Sequence, residues 1–198
     1  MNSQFHIPSN QNGMTLIEVL VTLVILSIGI LGLAGLQIVG LRGTTNAAFT
    51  SQATNSASDI IEVMRTNDAA LDAGLFSGVN SASTIDCTSL PSPFCADYYN
   101  GSSITVAASC TPAQLQTFDL NIWFCGMPSG GTRAGGVVNI LPSSSATITC
   151  TDSNATDANP CSINSSRTVT LNWTEINPDR YEGAATTLSR TLTMSMMP

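Results

Sequence analysis

The sequence predicts an α+β fold in which a long N-terminal helix lays its second half on an antiparallel sheet. Three observations predict it. Residues 13–36, GMTLIEVLVTLVILSIGILGLAGL, form an apolar run with a single charge at Glu18. A proline-free amphipathic stretch continues that run to about Leu71. Beyond it lie segments that alternate polar and apolar residues, most clearly Thr168-Val169-Thr170-Leu171-Asn172-Trp173. The expected divisions are a polar leader (1–13), an apolar helix (14–41), its amphipathic continuation (42–72) and a globular head (73–198).

The leader MNSQFHIPSNQN precedes Gly13 and holds the only histidine, His6. From 19 to 41 there are 23 residues without a charge. As a helix rising ~1.5 Å per residue they span the roughly 30 Å hydrocarbon core of a bilayer. A transmembrane helix is therefore expected. A cleaved secretory signal fits less well, because the basic n-region and the small-residue cleavage site are missing. A carboxylate at mid-membrane costs about 2.5–3.5 kcal/mol and less near the helix end. Glu18 therefore either sits at the interface, favouring the positive helix N-terminus, or meets an opposite charge on a neighbouring chain. A cut after Gly13 would leave an ammonium on Met14, about one turn from Glu18.

From Arg42 the helix is expected to leave the membrane, with Phe49, Ile60, Ile61, Val63, Met64 and Leu71 recurring on an inward stripe. Gly74 and Gly78, with their polar neighbours, end it. Gly29, Gly32 and Gly35 permit close helix packing, or mark a segment that extends on assembly.

Residues 80–111 read as loop, with a short strand at 103–108. Thr111-Pro112-Ala113-Gln114 supplies an N-cap, a proline at N1 and a glutamine at N3, which start a helix over 112–125. Leu115, Phe118, Ile122 and Trp123 would form its apolar face, with Trp123 a core anchor. After a glycine-rich loop, strands are expected at 136–140, 146–150, 167–174 and 187–196, with Arg190 interrupting the last.

The composition narrows the chemistry. Charged residues make up 10% of the chain, with 13 Asp+Glu against 6 Lys+Arg. All six cations are arginines, and there is no lysine. Such a balance argues against nucleic-acid binding, which draws on clustered cations. Without histidine after the leader, Ser-His-Asp, Cys-His and His-metal chemistry are excluded. No phosphate-binding glycine loop or paired-carboxylate motif is present. No enzyme activity, metal or cofactor is expected.

Cys87, Cys95, Cys110, Cys125, Cys150 and Cys161 are even in number and lack C-x-x-C spacing, which favours disulfides over zinc. Six cysteines allow 15 connectivities. Sequence proximity suggests Cys87–Cys95, Cys110–Cys125 and Cys150–Cys161. The loop from Asp152 to Asn159 places oxygens at alternate positions like half a calcium loop. It lacks the glycine and glutamate of one, so a polar disulfide-held loop is expected.

Gly13-Met14-Thr15-Leu16-Ile17-Glu18-Val19 resembles the class III leader and first helix of type IV pilins and pseudopilins. The resemblance implies that a prepilin peptidase cuts after Gly13 and methylates Met14, with Glu18 serving filament assembly. The 14–41 helix would then be transmembrane before assembly and filament core afterwards. The run Ile28-Gly29-Ile30-Leu31-Gly32-Leu33-Ala34-Gly35-Leu36-Gln37, together with Asp119-Leu120, Trp123 and Met127-Pro128 in the head, is similar to minor pilins of the PilV kind. Met14 stands where major pilins usually carry phenylalanine, and residues 14–72 lack proline. The implied partners are the peptidase, other minor pilins, the major pilin and the inner membrane. The implied role is priming pilus assembly in a complex at the tip and promoting adhesion and twitching motility. A minor pseudopilin of type II secretion shares the N-terminal features. A membrane-anchored ligand-binding domain is the third reading.

Overall fold

The computed structural model describes residues 13–99, 101–129, 131–154, 156–162, 164–177 and 185–197. The leader 1–12, with His6, lies outside the described residues, as do Arg180 and Ala155 of the polar loop. The chain divides into two compact units, 1–42 and 43–198.

Helix α1, Leu16–Thr66, begins in the first unit. Every Leu, Ile, Val and Met side chain between Met14 and Leu41 is exposed, from 40% at Val19 to 78% at Leu16. The most apolar window of this helix reaches a mean hydropathy of 2.7, with none of it buried. Two hydroxyls in this stretch are turned onto their own backbone. Thr22 Oγ1 donates to Val19 O at 2.8 Å, and Ser27 Oγ to Leu23 O at 2.7 Å. Satisfying these hydroxyls within the helix suits a hydrocarbon environment, where nothing else would accept from them. The helix runs unbroken through Gly29, Gly32 and Gly35, and a Cβ at any of the three would meet nothing within 4 Å.

In the second unit α1 becomes one-sided. Ala53, Ala57, Ile60, Ile61 and Met64 are buried at helical spacing and join the core with Val169, Leu171 and Trp173 of the sheet. The helix ends at Thr66 rather than near Leu71, because Asn67 interrupts it. The Asn67 side chain accepts from Ala70 N and caps a new short helix, α2, Asp68–Asp72.

The chain then forms β1, Val79–Asn80, and α3, Ser81–Thr84. A small hairpin pairs β2, Tyr98–Tyr99, with β3, Ile104–Thr105, so the strand expected over 103–108 shortens to two residues. Helix α4, Pro112–Cys125, has the expected bounds. Its capping box is complete: Gln114 N donates to Thr111 Oγ1, and Thr111 N donates to Gln114 Oε1 at 2.9 Å. Its buried face is Phe118, Leu120, Asn121, Phe124 and Cys125. Ile122 and Trp123, expected to be inward, are instead half-buried. Trp123 packs at the core's edge and donates Nε1 to Ser56 O of α1 at 2.8 Å.

β4, Met127–Ser129, and β5, Thr132–Ala134, form a second hairpin. The strand expected at 136–140 is instead a helical turn, α5, Val137–Ile140. Gly136 sits at φ 75° with its Cα tight against the end of α4: a Cβ there would lie 2.2 Å from Gly126 N. That close approach redirects the backbone, so the β-branched valines do not decide the conformation.

β6, Ser145–Thr151, β7, Ser166–Ile176, and β8, Thr187–Met196, complete the main sheet. Its order is β1-β6-β7-β8, with every neighbouring pair antiparallel. The fourth strand is thus β1, not 136–140. The predicted α+β arrangement of a long apolar helix and an antiparallel sheet is present. Arg190 on β8 is no defect: it stands opposite Trp173 and pairs through Nε with Glu175 Oε2 at 2.9 Å. The other Glu175 oxygen accepts from Trp173 Nε1 at 3.0 Å.

The disulfides are Cys87–Cys125, Cys95–Cys110 and Cys150–Cys161. Two of the proximity pairings, Cys87–Cys95 and Cys110–Cys125, are therefore wrong. The reason is mechanical. The fourteen residues of α4 set Cys110 and Cys125 roughly 20 Å apart along its axis, while bonded cysteines hold their Cα atoms within about 7 Å. Cys125 takes Cys87 instead, and the Cys95–Cys110 loop is nested inside.

Candidate processing and assembly site

The N-terminal candidates lie together at the start of α1. Gly13 and Met14 are exposed and precede the first helical residue, Leu16. Thr15 acts as the N-cap. Its carbonyl accepts from Glu18 N at 3.1 Å and Val19 N at 3.3 Å, and its hydroxyl accepts from Glu18 N at 3.4 Å. Glu18 therefore occupies the third helical position, in the first turn. The Thr-x-x-Glu spacing is a helix-start signature that the sequence reading passed over. It fixes where the helix begins, and so leaves the Gly13–Met14 peptide outside it.

Local electrostatics explain only part of Glu18. A carboxylate in the first turn gains about 0.3–1 kcal/mol from the helix macrodipole. A carboxylate costs ~2.5–3.5 kcal/mol at mid-bilayer and less near the helix end, so the macrodipole offsets only part of the cost at Glu18. A charge on another chain would make up the difference.

The head holds its own polar sites, and most are closed. Arg133 donates to Asn121 Oδ1 at 2.6 Å, to Gly126 O at 3.3 Å and to Ser89 O, tying the 86–90 loop to the end of α4 beside Cys87–Cys125. Asp86 accepts from Thr88 and Ser89, and these hydrogen bonds hold its carboxyl down at about 2. Arg167 is 1% exposed and donates to Leu71 O at 2.7 Å and Ser165 O at 3.3 Å. Burial lowers its pKa, opposed by Asp72.

In the polar loop, Asp152 accepts from Ser162 N, Asn154 N and Ser165 Oγ, which holds its carboxyl at about 2. Asp157 accepts from Asn159 N and Ser162 Oγ. These oxygens face backbone amides and hydroxyls instead of converging on a cation. Among the described residues no group of three or more His, Cys, Asp or Glu is placed to hold a metal.

Comparison with known families matches two consecutive stretches. Residues 8–34 match the prokaryotic N-terminal methylation motif, and residues 35–121 match the family of type IV pilin Tt1218. Strands β6 to β8 lie beyond both matches. No curated protein and no solved structure matches the chain. The N-terminal motif implies processing by a prepilin peptidase and assembly with other pilins. An exposed Gly13–Met14 peptide, a Thr15-capped helix with Glu18 in its first turn and a long apolar span agree with those matches: the chain carries the prokaryotic N-terminal methylation motif and a type IV pilin domain.

Proposed function

We propose that this chain is a minor pilin of the type IV pilus, of the PilV kind. A prepilin peptidase cuts it between Gly13 and Met14 and methylates the new terminus. Residues 14–41 then hold it in the inner membrane, with the head on the periplasmic side. It enters the pilus through a priming complex at the tip and promotes assembly, adhesion or twitching motility. It acts as a structural subunit, not an enzyme.

The observation that carries this reading is the start of α1, where the scissile peptide is exposed immediately before a capped helix bearing Glu18 in its first turn. Once Met14 carries an ammonium, Glu18 of one chain and the terminus of the next are complementary charges. An axial slip would leave both desolvated and unpaired, a penalty of several kcal/mol that selects one register. Exposed apolar side chains around the helix, and glycines whose faces touch nothing in the chain itself, suit packing against other helices.

The test is the mass of the mature N-terminal peptide. N-methyl-Met14 is expected; an intact residue 1, or a cut elsewhere, defeats the proposal. Deleting the chain then separates pilus from secretion machinery: loss of piliation supports the minor pilin, and loss of secretion alone points to a pseudopilin.

A further inference from the structure

Helices α1 and α4 leave an open groove of about 360 Å³ on the surface of the second unit. Val63, Phe118, Ile122 and Trp123 form apolar walls, and two carboxylates, Asp59 on α1 and Asp119 on α4, line the same space. Among the described residues neither carboxylate has a hydrogen-bond or ion-pair partner. Burial alone pushes the Asp119 carboxyl up, with no cation opposing it.

Among the described residues of the unit, every arginine is already engaged. Arg65 pairs with Glu62 and Arg190 with Glu175. Arg133 is bound to Asn121, Gly126 and Ser89, and Arg167 is buried against Leu71 and Ser165. The chain has no lysine and carries a net charge of −7. Apolar walls beside two carboxylates suit a side chain with an aliphatic stem and a cationic end.

We propose that the α1–α4 groove docks a lysine or arginine side chain of a neighbouring pilin subunit, its stem against Trp123 and Ile122 and its charge at Asp59 and Asp119. The inference rests on the pilin reading above and assigns that assembly a specific contact. A cation in this groove meets the exposed Asp59 carboxylate and neutralises the half-buried Asp119 one, and the contact strengthens as the interface closes over both.

The test uses the full chain carrying Asp59→Asn and Asp119→Asn together, with a photo-crosslinking residue at Ile140 on the groove's rim in a separate variant. The double variant is expected to fold, with its three disulfides formed, and to be recovered in sheared pili at least tenfold less than the unaltered chain. The crosslinker is expected to capture a Lys- or Arg-bearing peptide of another pilin. Recovery equal to the unaltered chain overturns the proposal. So does crosslinking only to lipid, to a second copy of this chain, or to nothing. If the unaltered chain is itself absent from pili, the pilin reading fails instead, and the two failures are told apart.

Discussion

Leu26, in the first part of α1, is 60% exposed, whereas Ile60, in the second part, has no exposed surface. One helix thus obeys two solvents. Before Arg42 its apolar side chains have no partner within the unit and its hydroxyls bond to their own backbone. After Gly43 the apolar residues retreat to one stripe against the sheet. The difference teaches what each part is built for: the second stabilises this chain, and the first is complete only among lipid or other helices.

Substitutions can break or sharpen that contrast. Both tryptophans, Trp123 and Trp173, lie in the second unit, so their fluorescence during urea unfolding of the full chain in detergent reports that unit alone. The largest effect is expected from Cys125→Ser, which opens the 38-residue Cys87–Cys125 loop and removes about 4 kcal/mol. Next comes Ile60→Ala, a cavity between α1 and the sheet worth about 3 kcal/mol.

Asp119→Asn works in the opposite direction. Burial pushes the Asp119 carboxyl up to about 6, from an ordinary 3.8. The folded unit therefore binds a proton that the unfolded chain has released across that window. The contribution of Asp119 to stability is highest below about pH 4, falls as pH rises towards about 6, and is flat above it. Removing the charge should raise stability at pH 7 by about 1 kcal/mol, after allowing for solvent at a half-buried group, and should abolish that decline. The smallest effect is expected from Leu26→Ala, within about 0.5 kcal/mol in the same assay. A large loss there would mean that the first unit supports the second.

Legibility followed the range of the forces. Thr111 and Gln114 declare the start of α4 locally, and both hydrogen bonds form. The period-two pattern around Thr168–Trp173 reads directly as β7 because one face is buried. Val137 and Val138 misled because a contact between Gly136 and Gly126, distant in sequence, sets the backbone there. β1 was missed because two residues carry no periodicity; pairing with Thr147 and Ile148 makes them a strand. The disulfide error was avoidable: a helix over 112–125 already forbids Cys110–Cys125. At the N-terminus, Gly13, Met14 and Glu18 are readable as a motif, and Thr15 with Glu18 three residues on spells the cap that places them. The α1–α4 groove was invisible, since a helical stripe does not tell which of Ile122, Trp123 and Leu120 the core will take in.

Recovery of the Glu18→Ala chain in sheared pili, beside its amount in the membrane, is the most direct measurement of whether residues 14–41 exist for other chains. Membrane insertion should be unchanged, because an interfacial carboxylate adds nothing to it. Incorporation into pili should fall at least tenfold, because the register charge is gone. Incorporation equal to the unaltered chain, with insertion intact, would contradict the account.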